Sequence, residues 1–227
     1  MRNNETMSYM ELAQGLQVDM RVRSAIISDC LDIVGERNQV MIRDIAPLTS
    51  SMKSIGYAAT IEFVEDDNFD PHDPYGEAID FLDELKPMDM AVIATGGSIQ
   101  SAFWGELFST AAKSRGAHGM VTDGSLRDSE EIKKTEFNVF GCGTLPLDYK
   151  GRCRVSNKGQ AITCGGVIVN PGDLIVADAD GVAVVPQKHI AEVVKLANER
   201  VQRESKVLSE LQEGSSVRDA WNRHRTL

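Results

Sequence analysis

The order of short apolar segments along the chain is the feature that most constrains its fold. Four such segments of three or four residues follow one another closely in the last third of the chain, at 162–164, 167–169, 174–177 and 182–185. The dipeptides Pro171–Gly172 and Asp180–Gly181 favour turns between them. Connections this short join antiparallel strands, since parallel strands need a much longer crossover. This region is therefore predicted to be antiparallel β-structure.

Upstream of this region, predicted strands alternate with predicted helices. Strands are expected at 55–64, 90–94, 119–122 and 137–142, and apolar residues recur at helical spacing at 22–34, 101–114 and 129–135. A short helix is also expected at 7–16, and one long polar helix at 188–213, before Gly214. Alternation favours parallel pairing, whereas the later segments favour antiparallel pairing. Together they predict an α/β fold with a mixed sheet and a long C-terminal helix.

The length of 227 residues suits a single domain, with an N-terminal arm at 1–21, an α/β core at 22–187 and a C-terminal helix and tail at 188–227. No run of residues is long and apolar enough to span a membrane, and the N-terminus lacks the apolar run of a signal peptide. The net charge of −10 disfavours binding to a nucleic-acid backbone. We therefore expect a cytoplasmic protein with no membrane partner and no nucleic-acid partner.

The sequence disfavours several common catalytic chemistries. The four cysteines, Cys30, Cys142, Cys153 and Cys164, form no Cys-x-x-Cys pair and have no histidine at ligand spacing, so they are predicted to be free core residues. No histidine lies in the context of a hydrolase triad. A Schiff-base aldolase would need a lysine in an apolar strand, and no predicted strand has a clear candidate.

The first candidate motif is the strand–loop–helix segment 91–107. Gly96 and Gly97 follow the predicted strand and allow a sharp backbone turn. A helix is expected to begin near 101–105, where its free N–H groups and dipole can hold an anion such as a carboxylate. Gly105 would give such a ligand close access to the backbone. On these residues alone, a plain strand-to-helix connection is an equal alternative.

The second candidate motif is Asp-Gly-Ser-Leu-Arg-Asp at 123–128, directly after a predicted strand. Arg127 could hold a carboxylate or keto oxygen through its planar fork, and Asp128 could hold a hard divalent ion. A structural arginine–aspartate pair, or a helix cap for 129–135, is the alternative. Glu106 and Asp128 follow adjacent strands, at the edge where α/β sheets bind ligands. Two carboxylates and an arginine there suit a Mg²⁺ or Mn²⁺ site that also binds an anion.

An acidic segment after the first long strand imitates a calcium-binding loop. Asp66, Asn68, Asp70 and Glu77 match several ligand positions, but Pro71 stands where such a loop requires glycine. The segment that precedes it also has the pattern of a strand, where a calcium loop would follow a helix. Residues 65–73 are therefore predicted to be a solvated acidic loop.

Residues 96–128 resemble the signature of the RraA-like family, which includes the 4-hydroxy-4-methyl-2-oxoglutarate aldolases; they read GGSIQSAFWGELFSTAAKSRGAHGMVTDGSLRD. In that family an acidic residue, a gap of twenty and then Arg-Asp marks the active site, here Glu106, Arg127 and Asp128. The family more often has aspartate at the first of these positions. The segments 45–63 and 164–186 also resemble the family, so the resemblance covers about 22–213. The loop at 65–85 is longer and more acidic than usual, and is expected to reshape the mouth of the site.

The resemblance implies a fold, an assembly and an activity. The fold would be an α/β/β/α sandwich of the swivelling β/β/α type, assembled as a homotrimer or homohexamer with sites between subunits. The activity would be that of a divalent-metal-dependent (class II) lyase. It would cleave 4-hydroxy-2-oxo acids such as 4-hydroxy-4-methyl-2-oxoglutarate to pyruvate, with oxaloacetate decarboxylation as a side activity.

The resemblance also implies roles for individual residues. Arg127 would bind the keto oxygen and stabilise the enolate, and Asp128 would hold Mg²⁺ or Mn²⁺ with Glu106 assisting through water. The backbone around the start of the helix would hold the pyruvyl carboxylate, at Gly105, Leu107 and Phe108. Glu204, on the C-terminal helix of a neighbouring subunit, would complete the site, with Glu199 as a second choice.

Two alternative functions are associated with the same resemblance. One is a protein that regulates ribonuclease E by binding it, without catalysis; that branch of the family would lack the glutamate expected at Glu204. The other is a methyltransferase of menaquinone biosynthesis, which is disfavoured because the sequence has no glycine-rich nucleoside loop followed by an acidic ribose-binding residue.

Overall fold

The computed structural model describes residues 16–226, apart from residues 43, 67–69, 71 and 99. Its helices are α1 Ser24–Ile33, α2 Glu77–Glu84, α3 Glu106–Ser114, α4 Ser129–Thr135, α5 Ile190–Gln212 and α6 Val217–His224. Its strands are β1 Ala46–Pro47, β2 Ser54–Glu65, β3 Asp89–Ala94, β4 Ala102–Trp104, β5 Gly119–Thr122, β6 Ser125–Leu126, β7 Asn138–Gly141, β8 Cys153–Lys158, β9 Ile162–Cys164, β10 Val167–Val169, β11 Leu174–Asp178 and β12 Gly181–Val185. The helix predicted at 7–16 lies almost wholly outside the described residues.

One mixed sheet organises the fold. Its strands run in the order β1-β7-β5-β3-β2-β11-β12, and β8 pairs with β2 beyond this path. The strands β2, β3, β5 and β7 pair in parallel, where helices separate them in the sequence. The strands β11 and β12 pair antiparallel with each other, and β11 pairs antiparallel with β2. The sheet is therefore mixed, as predicted, because strands separated by helices pair in parallel and strands joined by a short turn pair antiparallel.

Helices cover both faces of this sheet. Successive residues of β11 point to opposite faces, so Leu174 and Val176 lie in one apolar core and Ile175 and Ala177 in the other. The first core is closed by α1 and α5, and the second by the smaller helices α2, α3 and α4. The predicted fold class, an α/β sandwich with a mixed sheet and a long C-terminal helix, is confirmed.

A buried carboxylate fixes the start of α1. The residue before the helix, Arg23, makes no capping bond with its side chain. Asp178 takes that role from the end of β11, because its carboxylate accepts hydrogen bonds from the backbone N–H of Ser24 at 2.7 Å and from the Ser24 hydroxyl at 2.6 Å. This contact ties the first helix to the sheet across more than 150 residues of sequence.

The helix predicted at 101–114 was wrong in its first turn. Residues Ala102–Trp104 form the strand β4, and helix α3 begins only at Glu106. All three residues of β4 are buried, and an extended chain allows Phe103 and Trp104 to point to opposite sides into the core. The helices α2 and α6 and the strands β1, β6 and β8 were not predicted.

Two further expectations concern the chain as a whole. The four cysteines are free, as predicted, and three of them are buried. None of the helices in the described part of the chain has both the length and the apolar character that crossing a bilayer requires.

Candidate functional site

Two short parallel strands bring the two sequence motifs together. The strand β4 pairs with β6, and the pairing continues where the backbone N–H of Arg127 donates to the carbonyl of Trp104 at 2.8 Å. Because the strands are parallel, Gly105 and Arg127 leave the pair at the same end and side by side. The two motifs converge, as expected, but at the end of this small sheet and not directly at the ends of the strands predicted at 90–94 and 119–122.

A cleft opens at this end of the strands. It encloses about 110 Å³, and its walls are mostly apolar. Its charged side chains are those of Arg127, Asp128 and Asp148, and most of the remaining lining comes from Tyr75, Phe103, Trp104, Gly105, Leu107, Phe108 and Tyr149. The predicted residues Gly105, Leu107, Phe108, Arg127 and Asp128 all lie here, so one site collects most of the candidates.

Glycine is required at position 105 because the side chains of Asp128 and Arg127 pack closely against it. A Cβ atom at this position would lie 2.5 Å from the Oδ2 atom of Asp128 and 3.1 Å from the Cγ atom of Arg127. Distances this short leave no room for a side chain unless Asp128 and Arg127 move. Glycine therefore lets the Arg-Asp pair pack directly against the start of α3.

The first turn of α3 presents backbone N–H groups to the cleft. The carbonyl of Gly105 accepts the first helical bond, from Ser109 N–H at 3.0 Å, and the hydroxyl of Ser109 is held in turn by the indole N–H of Trp104 at 2.8 Å. Helix geometry leaves the N–H groups of Leu107 and Phe108 without intrahelical acceptors. Such donors and the helix dipole are suited to binding a carboxylate, and this role of Leu107 and Phe108 stays a prediction.

Arg127 is held between two carboxylates. Its Nε atom lies 3.5 Å from Oδ2 of Asp128, and its Nη1 atom lies 2.9 Å from Oδ2 of Asp148. The side chain of Arg127 is 32% exposed, so the guanidinium can also meet a ligand in the cleft. The alternative of a structural arginine–aspartate pair thus describes part of the geometry, but it does not explain why the pair lines a cleft.

Asp128 adopts an uncommon backbone conformation for a residue other than glycine. Its φ and ψ angles are 54° and 38°, in the left-handed region, and it sits at the N-cap position of α4 without a capping bond from its side chain. Instead, its Oδ2 atom accepts a long hydrogen bond of 3.4 Å from the backbone N–H of Glu106. The side chain is 43% exposed. The helix-cap alternative is therefore not supported, and the carboxylate is available to a ligand.

Tyr75 and Asp148 also line the cleft, although neither was predicted as a site residue. The hydroxyl of Tyr75 donates to Oδ2 of Asp148 at 2.9 Å, next to the ion pair between Asp148 and Arg127. Burial, and then the hydrogen bond to Asp148, raise the pKa of Tyr75, so its hydroxyl stays protonated and can donate. Tyr75 belongs to the long acidic loop that was expected to reshape the mouth of the site, whereas no local motif marked Asp148.

The other two predicted acidic residues, Glu106 and Glu204, lie in different parts of the structure. Glu106 begins α3 beside Asp128, but within the described part of the chain no three His, Cys, Asp or Glu side chains gather around one point. Glu204 lies in a separate groove between α5 and the residues before α1, where it pairs with Arg200 at 2.8 Å and with Arg23 at 3.4 Å. It does not line the cleft of its own chain. Its role at a neighbouring subunit's site stays a prediction.

The structure describes part of the acidic segment that resembled a calcium loop. Asp66 pairs with Arg154 at 2.7 Å, and Glu77 begins the helix α2. Asn68 and Pro71 lie outside the described residues. Asp66 thus has an ion-pair partner of its own, and Glu77 belongs to a helix that follows the predicted loop.

Residues 24–184 match the sequence profile of the RraA-like family, which is described as Aldolase/RraA. The chain belongs to the RraA-like family. The matched residues include both strands of the candidate site and the cleft residues that they position. The C-terminal helix α5, which carries Glu204, lies beyond them.

Curated relatives extend the match over most of the chain. DlpA from Legionella pneumophila is 32% identical over 209 residues, which are 90% of this chain but only 33% of DlpA. A protein of Methanocaldococcus jannaschii is 31% identical over 183 residues, covering 80% of this chain and 84% of that protein. A protein of Halalkalibacterium halodurans named "Putative 4-hydroxy-4-methyl-2-oxoglutarate aldolase" is 33% identical over 179 residues, covering 79% and 80%.

Solved structures share the RraA-like fold. A protein from Pseudomonas syringae pv. tomato has a TM-score of 0.80 at 25% identity, covering 92% of this chain and 97% of its own. RraAS2 from Streptomyces coelicolor, described as an unusual member of the RNase ES inhibitor RraA protein family, has a TM-score of 0.76 at 28% identity, covering 89% and 98%. The fold is thus shared by proteins whose names point to different functions.

Proposed function

We propose that this protein is a divalent-metal-dependent lyase that cleaves 4-hydroxy-2-oxo acids, such as 4-hydroxy-4-methyl-2-oxoglutarate, and releases pyruvate. The observation that carries the proposal is the convergence of Arg127, Asp128 and the first turn of α3 around Gly105. This arrangement offers a cation, an exposed carboxylate and free N–H groups within one cleft. Relatives named as aldolases support the same class of reaction.

The substrate's 2-oxo acid end matches these groups in kind. Its carboxylate would bind the N–H groups of Leu107 and Phe108 at the start of α3. Its keto oxygen would lie near Arg127, which carries a fixed positive charge. Cleavage makes this oxygen an enolate oxygen, so Arg127 would stabilise the charge that develops in the transition state.

The residues at the cleft also fit a hard divalent ion. Magnesium is commonly held by one or two carboxylates, with water and substrate oxygens as the other ligands. Asp128 supplies an exposed carboxylate, pressed against Gly105 where a side chain would displace it. We propose that Asp128 holds Mg²⁺ or Mn²⁺, with Glu106 assisting through water. When bound, the ion supplies Lewis acidity at the keto oxygen.

The bond changes follow from the substrate. The hydroxyl at C4 loses its proton, the bond between C3 and C4 breaks, and C4 becomes a carbonyl. The electron pair forms the enolate of pyruvate, which takes up a proton at C3. Decarboxylation of oxaloacetate passes through the same enolate, so it is a proposed side activity. The partner subunit's Glu204 is the proposed group that completes the site, in a homotrimer or homohexamer.

The proposal is tested by measuring pyruvate release with a coupled assay. The purified protein is first treated with a chelator, and Mg²⁺ or Mn²⁺ is then added back. We expect little release without metal and recovery with it, from 4-hydroxy-4-methyl-2-oxoglutarate and more slowly from oxaloacetate. Full activity in excess chelator would rule out the metal-dependent mechanism.

A non-catalytic regulator is the second candidate, because RraAS2 of Streptomyces coelicolor has this fold and is described as belonging to an inhibitor family. A regulator that only binds a ribonuclease would have no need of the exposed Asp128 carboxylate beside Arg127. Absence of pyruvate release from every 2-oxo acid tested, together with inhibition of a ribonuclease of the E type, would favour this second function.

A further inference from the structure

Arg127 is shared unequally between its two carboxylate neighbours. Its Nη1 atom lies 2.9 Å from Oδ2 of Asp148, whereas its Nε atom lies 3.5 Å from Oδ2 of Asp128. The first distance is that of a hydrogen-bonded ion pair, and the second exceeds the usual N–O distance of about 2.7–3.2 Å. The pair with Asp148 is therefore the stronger of the two.

This division matters for the carboxylate that is proposed to hold the divalent ion. A guanidinium beside a carboxylate can close into a pair with two parallel hydrogen bonds. If Arg127 closed on Asp128 in this way, it would compete with a metal ion for the same carboxylate oxygens. The ion pair with Asp148 opposes such a closure because it holds the guanidinium at its present distance from Asp128.

Asp148 is itself held by hydrogen bonds at both of its oxygens. Its Oδ2 atom accepts the Tyr75 hydroxyl at 2.9 Å, and its Oδ1 atom accepts the backbone N–H of Lys150 at 3.3 Å. The hydrogen bond from Tyr75 is the shorter of the two, and it ends on the same oxygen that pairs with Arg127. The Tyr75 hydroxyl therefore fixes the oxygen on which the position of Arg127 depends.

The Tyr75 ring is fixed by contacts that do not involve its hydroxyl. Its centroid lies 5.8 Å from that of Tyr149 and 6.3 Å from that of Phe108, both in edge-on contacts. Its backbone carbonyl accepts the N–H of Ala78, in the first turn of α2, at 3.1 Å. A phenylalanine at position 75 could keep all of these contacts and would lose only the hydrogen bond to Asp148.

We propose that Tyr75 is a positioning residue, which acts through Asp148 to hold Arg127 back from Asp128 and so keeps the Asp128 carboxylate available to Mg²⁺ or Mn²⁺. The inference rests on the proposed function and assigns a role to a side chain from the segment between β2 and α2. Tyr75 needs no contact with the ion or the substrate, because its hydroxyl acts on the balance between the two ion pairs of Arg127.

The test measures binding of Mn²⁺ to the metal-free protein, from the electron paramagnetic resonance signal of free Mn²⁺. Tyr75→Phe removes the hydroxyl and changes neither the ring nor the net charge. Tyr57→Phe, against the other apolar core, is the matched control. The same measurement on Arg127→Met, with and without Tyr75→Phe, shows whether the hydroxyl acts through the guanidinium. Thermal unfolding checks that each variant is folded.

We expect Tyr75→Phe to raise the Kd for Mn²⁺ about tenfold, the scale of one hydrogen bond to a charged group. Tyr57→Phe should bind as the wild type does, and the two Arg127→Met proteins should have the same Kd. Under the proposed function, pyruvate release by Tyr75→Phe should also need more Mn²⁺ for half-maximal rate, with kcat close to that of the wild type at saturation.

Two results would overturn the inference and leave the proposed function standing. One is a wild-type Kd in Tyr75→Phe, and the other is an equal loss of affinity when the hydroxyl is removed from Arg127→Met. Mn²⁺ binding that depends on Tyr75 as expected, without pyruvate release by the wild type, would overturn only the proposed function. No Mn²⁺ binding by the wild type would overturn both.

Discussion

Gly105 sets the distance between the two halves of the site. Its missing side chain allows Asp128 to lie against the first turn of α3, where a Cβ atom would come within 2.5 Å of the carboxylate. The same contact brings Oδ2 of Asp128 within 3.4 Å of the Glu106 N–H group. A single methyl group at this position would therefore act on the geometry of the site and leave the apolar core intact.

We predict that Gly105→Ala lowers kcat/KM for pyruvate release by about a hundredfold, since a displacement of about 1 Å in a catalytic group can cost this much. Thr110→Ala, on an exposed position of the same helix, is the matched control and should retain activity. Both variants should keep the thermal unfolding temperature near that of the wild type. Normal turnover by Gly105→Ala would show that the close approach of Asp128 does not matter.

Replacing Arg127 tests whether the site needs the planar guanidinium group or only its positive charge. Arg127 meets its two carboxylate neighbours through Nε and Nη1, which the single ammonium group of a lysine cannot reproduce. Arg127→Lys should therefore lower kcat by about a hundredfold, with a smaller rise in KM. Steady-state kinetics with saturating metal give the two constants. A higher KM with unchanged kcat would assign Arg127 to binding alone.

At the scale of elements, α1 depends on a partner distant in sequence. Asp178 accepts the Ser24 backbone N–H and hydroxyl, and the N–H of Asp180 at 3.0 Å. We predict that Asp178→Ala lowers the free energy of unfolding by about 2 kcal/mol, because buried donors lose their acceptor. Urea denaturation measures the change. Ser24→Ala should cost less, and a double mutant no worse than Asp178→Ala would confirm that the two residues act as one contact.

The sequence predicted those elements whose pattern is local. The strand 119–122, the helix 129–135 and the hairpin strands 162–164 and 167–169 were predicted with the observed bounds. The helix predicted at 101–114 was wrong only in its first turn, because Ala102, Leu107, Ala111 and Ala112 fit a helical spacing. The burial of Phe103 and Trp104 is what an extended segment at 102–104 allows. Propensity is weaker than such tertiary burial.

The site was predictable to the extent that its residues lie in motifs. Gly105 was found because it lies near a predicted helix start, and Arg127 and Asp128 because their motif follows the predicted strand 119–122; the short parallel strands β4 and β6 that bring them together were not predicted. Tyr75 and Asp148 were missed since they are 73 residues apart and meet through a long-range hydrogen bond. No local spacing encodes such a contact, so this wall of the cleft emerged only from the structure.

At the scale of the whole molecule, the question is how Glu204 could reach a site. It lies on α5 in a groove lined by apolar side chains, among them Val207, Leu208 and Leu211. Leu208 is 57% exposed in the single chain. In a closed ring of subunits, each α5 could dock on the next chain and lend it Glu204, a heterologous contact that repeats around the ring.

Subunit mixing tests this arrangement. Asp128→Ala and Glu204→Ala proteins are each expected to be inactive, and dissociating, mixing and reassembling them should restore part of the activity, because some interfaces then carry both native residues. Glu199→Ala in place of Glu204→Ala is the comparison, and it should be active without mixing. Absence of recovery in properly reassembled oligomers would make Glu204 a surface residue that only holds Arg200 and Arg23.

The measurement that tests the central claim most directly is the rate of pyruvate release by the wild type and by Asp128→Ala, side by side with saturating Mg²⁺. The claim is that Asp128 and Arg127, joined at Gly105, form the site of a metal-dependent lyase. It predicts that the wild type releases pyruvate and that Asp128→Ala is slower by at least about a thousandfold with its fold intact. Equal rates for the two proteins would contradict the claim.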